Sequence, residues 1–77
     1  MNTKTGKEIR AVIILKEITG AELARKIGVT RGAINMVIKG IRRTSRLRNF
    51  VAEEVGLPVS IWAEMDRELR ALKEAKS

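Results

Sequence analysis

Residues 19–40 read TGAELARKIGVTRGAINMVIKG, and the placing of threonine, glycine and apolar residues in this stretch decides the fold. Thr19-Gly20-Ala21-Glu22 has the form of a capping box. A threonine hydroxyl there accepts from the backbone N–H three residues on, and the glutamate reaches back to the threonine N–H. Leu23, Ala24 and Ile27 then share one face of a short helix. Gly28 stops it, because glycine adopts the left-handed conformation that closes a helix. Val29 follows, and Thr30 caps a second helix from Arg31 to about Lys39, with Ile34, Val37 and Ile38 inward and Gly40 at its end. Each frame position has a physical reason. Ala24 is small where the second helix crosses, Gly28 supplies the turn, and Leu23, Ile27, Val29, Ile34 and Val37 clamp the pair onto a core.

Working outward, residues 1–6 are polar without periodicity and predict a flexible arm. Residues 7 to about 17 contain Ile9, Val12, Ile13 and Ile14, which fit either a helix face or a buried β-branched strand. Helix is the better choice, because everything downstream is helical and no partner strand is present. Beyond Gly40, residues 41–44 form a basic connection. Ser45 is positioned to cap a helix with Leu47, Phe50, Val51 and Val55 inward; Gly56 ends it, and Leu57-Pro58 turns the chain. Ser60 precedes a last helix carrying Trp62, Met65, Leu69 and Leu72, and residues 73–77 are expected to fray. The expectation is an all-α, compact five-helix bundle. Its parts are an arm (1–6), a main domain (7–63) and a C-terminal helical extension (64–77).

Composition narrows the function. The chain has 77 residues, no cysteine and no histidine, so apolar packing must hold it without disulfides or a Cys/His metal site. It lacks a thiol, an imidazole and a tyrosine, and its scattered acids have no metal or general-acid spacing, which argues against an enzyme, a cofactor or a small-molecule substrate. The formal charge is +7. Residues 1–52 hold 12 basic and three acidic side chains, a net +9, and residues 53–77 hold four and six, a net −2. The densest stretch is Lys39, Arg42, Arg43, Arg46 and Arg48, with no acid between Glu22 and Glu53. Such a patch steers toward a polyanion. The uncharged run Ala11–Leu15 is too short for a membrane span or an export signal, so no membrane partner and a cytoplasmic site are expected.

Two short helices joined by a glycine turn, with a basic loop behind, form the pattern of a helix-turn-helix, whose second helix enters the DNA major groove. The stretch resembles the Cro/repressor-type (XRE) helix-turn-helix family. That family usually shows T-Q-x-x-L-A-x-x-x-G-V-S in its first half and V-S/N-x-x-x-x-G in its second. The likeness continues to Ala52–Trp62 (AEEVGLPVSIW), as in small phage or prophage regulators, and covers residues 8–63. It implies a lambda-repressor-like fold, double-stranded DNA as partner, and base contacts from Thr30, Arg31, Gly32, Asn35, Met36 and Lys39. Arg31 suits a guanine edge or a phosphate equally, and Asn35 suits an adenine, a phosphate or plain solvation. Met36 departs from the polar residue common there, and a thymine methyl, the core and a partner surface all remain open to it. The family's Gln after the threonine is here Gly20, so its phosphate contact is absent. Arg42, Arg43, Arg46 and Arg48 are expected to contact phosphates.

Leu69 and Leu72 lie beyond the family's usual compact domain and are candidates for a dimer contact. The leading expectation is a sequence-specific regulator that represses by operator occupancy in a bacterial or phage-infected cell, acting as a homodimer at least on DNA. The alternatives are an antitoxin-type interaction module and a sequence-neutral nucleic-acid binder.

Overall fold

The computed structural model describes residues 3–76. The elements are α1 (Lys4–Leu15), α2 (Gly20–Ile27), α3 (Arg31–Lys39), α4 (Ser45–Val55) and α5 (Ile61–Lys76). Among the described residues there is no strand, and the fold is the all-α bundle that the patterning predicts. Helices this short are marginal alone in water, so tertiary packing stabilises them. Ile9, Leu23, Ile34, Val37, Val51, Val55 and Met65 are fully buried, and every helix supplies at least one of them. Among the described residues no helix is long and apolar enough to cross a membrane.

The β-branched run of α1 is helical. Ile9 is buried and Val12 and Ile13 are half-buried, but Ile14 is 74% exposed. Consecutive helical residues point about 100° apart, so one face cannot hold the whole run. The helix ends at Leu15, two residues before the expected end.

The N-terminus departs from expectation. Residues 3–6 are ordered, while Met1 and Asn2 lie outside the described residues. Thr3 caps α1 by accepting from the Gly6 N–H at 2.8 Å. Glu68 of α5 accepts from the Lys4 N–H at 2.6 Å, from the Thr5 N–H at 3.1 Å and from the Thr5 hydroxyl. Thr3, Thr5 and Gly6 are buried. A carboxylate beside the first turn also matches the partial positive charge of a helix start. No local pattern announces this arrangement, because the anion comes from the far end of the chain.

The other end departs as well. The boundary expected between residues 63 and 64 falls inside α5, which continues to Lys76 instead of fraying from residue 73. Met65 is fully buried and Leu69 is half-buried against the core. The cap of α4 is Thr44 in place of Ser45, and it makes no side-chain cap bond.

Gly28, Gly40 and Gly56 end α2, α3 and α4 in the left-handed conformation. Gly40 (φ +84°) is also sterically confined. A Cβ there would meet Leu69 Cδ1 at 2.5 Å and Met65 Sδ at 3.2 Å. Gly28 (φ +76°) has nothing within 4 Å of the same position. Left-handed strain costs about 1–2 kcal/mol, and overpacking adds about 1–3 kcal/mol. Gly40→Ala is therefore expected to destabilise by about 3 kcal/mol and Gly28→Ala by only about 1 kcal/mol. Denaturant titration of the two variants checks the ranking.

Burial pushes the Glu68 carboxyl up. The bonds from the Thr5 hydroxyl and from the Lys4 and Thr5 N–H groups, with the Lys4 charge, outweigh it and leave the group below its ordinary value. A depressed folded value contributes stability above the unfolded one, about 4.3 for glutamate, and that stability is lost as pH falls. The melting temperature is expected to drop below about pH 4.5. Glu68→Gln is expected to cost about 1 kcal/mol at neutral pH and to flatten that drop, read by thermal melts across pH.

Candidate nucleic-acid interface

The candidate surface is built by the crossing of α2 and α3. Thr19 caps α2 by accepting from the Glu22 N–H at 3.1 Å. The return half of the capping box differs from expectation, because the Thr19 hydroxyl itself donates to the Glu22 carboxylate at 3.1 Å. At the other end the N–H groups of Gly28 and Val29 both donate to the Ala24 carbonyl at 2.9 Å. This closure ends α2 and turns the chain toward α3. Thr30, in extended conformation, then caps α3 by accepting from the Ala33 N–H at 3.1 Å.

The inner face of α3 presents Ala33, Ile34, Val37 and Ile38, all buried. On the α2 side Leu23 and Ala24 are buried, and Ile27 and Val29 are half-buried against the same cluster. Ala33 was not singled out by sequence reasoning. Its spacing from Ile34 and Val37 is the signal that places it inward. Thr30, Arg31, Gly32, Asn35, Met36 and Lys39 are all exposed. Nine residues at 1.5 Å each make this outward surface roughly 13 Å long. Gly20, at the start of α2, lies beneath it. A Cβ on Gly20 would sit 3.8 Å from Arg31 Cγ and 4.0 Å from Asn35 Oδ1.

At the end of α3 the Met36 carbonyl accepts from the N–H groups of Ile41 at 2.9 Å and Arg42 at 3.1 Å, while Gly40 bonds back to Val37. This wrap delivers Arg42 and Arg43 to solvent directly behind the helix, and both are exposed. Arg43 also stands 3.9 Å from Asp66. Arg46 is exposed and donates to the Ile27 carbonyl at 3.3 Å. A cation at the end of α2 complements the partial negative charge there.

Arg48 does not fit the expected role. It is 7% exposed, and its guanidinium donates to both Asp66 oxygens at 3.0 and 2.8 Å. It also lies 5.3 Å from the Trp62 ring centroid, while the Trp62 indole N–H donates to the Arg48 carbonyl at 2.8 Å. A phosphate cannot reach it without breaking this clasp between α4 and α5. The paired bonds from Arg48 hold the Asp66 carboxyl below its ordinary value against the opposing effect of burial, with Arg43 and Arg70 assisting. Asp66 and Trp62 are the partners that a charge count along the sequence misses. Leu69 is likewise occupied, since it covers Gly40 at the end of α3. Leu72 is 37% exposed.

Two helices crossing over a left-handed glycine turn, the second buried on one side and bare on the other, define a helix-turn-helix protein. A model of the helix-turn-helix family matches residues 9–52, more than half of the chain, and the protein belongs to that family in its Cro/repressor (XRE) form. No curated protein and no solved structure matches the chain significantly.

The different fates of neighbouring arginines are measurable. Arg48→Ala removes two hydrogen bonds to a carboxylate that is itself 32% exposed, so it is expected to lower stability by about 2–3 kcal/mol. Arg42→Ala is expected to leave stability within about 0.5 kcal/mol. On DNA, it should flatten the dependence of log affinity on log salt by about 0.9. Thermal melts and binding titrations at several salt concentrations separate the two effects.

Proposed function

We propose that the protein is a sequence-specific transcriptional regulator that represses by occupying its operator as a two-fold dimer. The family is one of DNA-binding regulators, which supplies the coarse part of this reading. The single observation that carries the finer part is α3 itself. Its inner face is buried, and its outer face offers Arg31, Asn35, Met36 and Lys39 to solvent with Arg42 and Arg43 behind.

Each side chain has a role in this proposal. Arg31 presents its planar fork to a guanine edge, and Asn35 pairs with an adenine. The Met36 thioether chain touches a thymine methyl, and Lys39 adds charge at the far end. Thr30 and Gly32 allow the helix start to approach closely, since glycine adds no bulk there. Arg42, Arg43 and the exposed Arg46 hold phosphates and supply affinity without base choice. Arg48 has no part in DNA contact.

The dimer follows from reach. One α3 of this length spans only a few base pairs, and a two-fold pair with helices about 34 Å apart doubles the sequence read. Leu72 is the C-terminal apolar side chain left over for that contact, because Leu69 is used within the chain. Repression then needs only that a bound dimer excludes other proteins from the site. A bacterial or prophage setting, with action in the cytoplasm, belongs to the same proposal. No catalytic residue, cofactor or small-molecule substrate enters it.

Selection of bound duplexes from a random pool tests the reading. The expected outcome is a consensus of two inverted half-sites with centres about 10 base pairs apart. Arg31→Ala is expected to relax preference at one base pair per half-site, worth about 1–3 kcal/mol there. A pool that stays random would replace the proposal with a sequence-neutral binder, and a lone half-site would remove the dimer.

A further inference from the structure

Gly20 belongs to α2, yet its nearest neighbours from elsewhere in the fold are two side chains of α3. A Cβ built on it would lie 3.8 Å from Arg31 Cγ and 4.0 Å from Asn35 Oδ1. Arg31 and Asn35 are four residues apart, so they stand on the same face of α3, one turn from each other. Both are exposed, and no hydrogen bond or ion pair engages either side chain among the described residues. The aliphatic stem of Arg31 and the amide oxygen of Asn35 thus rest over a bare backbone position. Gly20 does not need to be glycine for its backbone. It lies at the first position of a helix, it is absent from the positive-φ residues, and a Cβ there meets only ordinary van der Waals distances.

We propose that Gly20 is a specificity-determining position, which governs what α3 reads by leaving the Asn35 amide oxygen free and the Arg31 stem undisturbed. The inference rests on the reading of α3 as a base-contacting helix. Recognition of adenine by an asparagine needs both ends of the amide: its oxygen accepts from N6 and its nitrogen donates to N7. A donor at position 20 competes for that oxygen. A glutamine there begins within 4.0 Å of it and carries two N–H donors on a flexible stem, so it can bond Asn35 Oδ1 directly. The acceptor is then spent inside the protein, and the bulk beside Arg31 Cγ shifts the guanidinium fork. Alanine's Cβ stays at ordinary van der Waals distance from both groups and brings no donor.

The experiment compares the wild type, Gly20→Ala and Gly20→Gln by duplex selection and by competition binding, with a thermal melt of each. Gly20→Ala is expected to melt at the same or a higher temperature, since alanine is the better helix former, and to select the wild-type consensus. Gly20→Gln is expected to stay folded and to lose discrimination at the one or two adjacent base pairs read by Asn35 and Arg31. The loss should be about five- to a hundredfold, the value of a bidentate base contact. Preference at the remaining positions should be unchanged. Asn35→Ala combined with Gly20→Gln should lose no more at the Asn35 position than Asn35→Ala alone. An unaltered consensus for Gly20→Gln in a folded protein would overturn the inference and leave the proposed function standing. Absence of any consensus in the wild type would overturn both.

Discussion

The complete burial of Ile34 and Val37 is the constraint on which the rest of the molecule depends. A nine-residue helix has little tendency to form alone, because nucleation costs more than so few hydrogen bonds return. Packing keeps α3 helical, and packing also fixes its rotation. Once Ala33, Ile34, Val37 and Ile38 face the core, Arg31, Asn35 and Lys39 have no direction left but outward. The same contacts that stabilise the fold therefore also aim the outer face of α3.

The charge of the chain looks different once its arginines are placed. The net +9 of residues 1–52 counts Arg48 as a surface cation, but the fold sets that guanidinium against Asp66 and the Trp62 ring. Asp66 belongs to the slightly acidic C-terminal part, so that acidity partly serves as an internal counter-charge. A buried guanidinium without such a partner would cost several kcal/mol. Arg42 and Arg43 remain exposed beside α3, where a field can act on an approaching polyanion.

Much of this was legible in the sequence. Thr19, Thr30, Gly28, Gly40 and Gly56 mark helix ends by local chemistry, and the structure has helix ends at each of them. Apolar spacing placed Leu23, Ile34, Val37, Val51 and Met65 on inner faces. Three of the departures share one cause, which is dependence on a distant residue. Lys4 and Thr5 read as an arm because Glu68 supplies their order from 64 and 63 residues away. Arg48 read as a phosphate ligand because its partner lies on another helix. Leu69 read as spare apolar surface because part of what it covers is Gly40, which leaves no apolar mark in the sequence. Periodicity reports which face of a helix is inward, but not which polar group will meet another.

The bonds from Glu68 to the start of α1 have a consequence for how the chain matures. The helix-turn-helix pair is local in sequence and can assemble as soon as its own residues are available. The first turn of α1 is only partly local, since Thr3 caps it but its carboxylate lies in α5. On a ribosome the start of α1 lacks this anchor until residue 68 has emerged, although synthesis otherwise favours N-terminal parts first. The start of α1 is thus tied down late, only once α5 has folded against it.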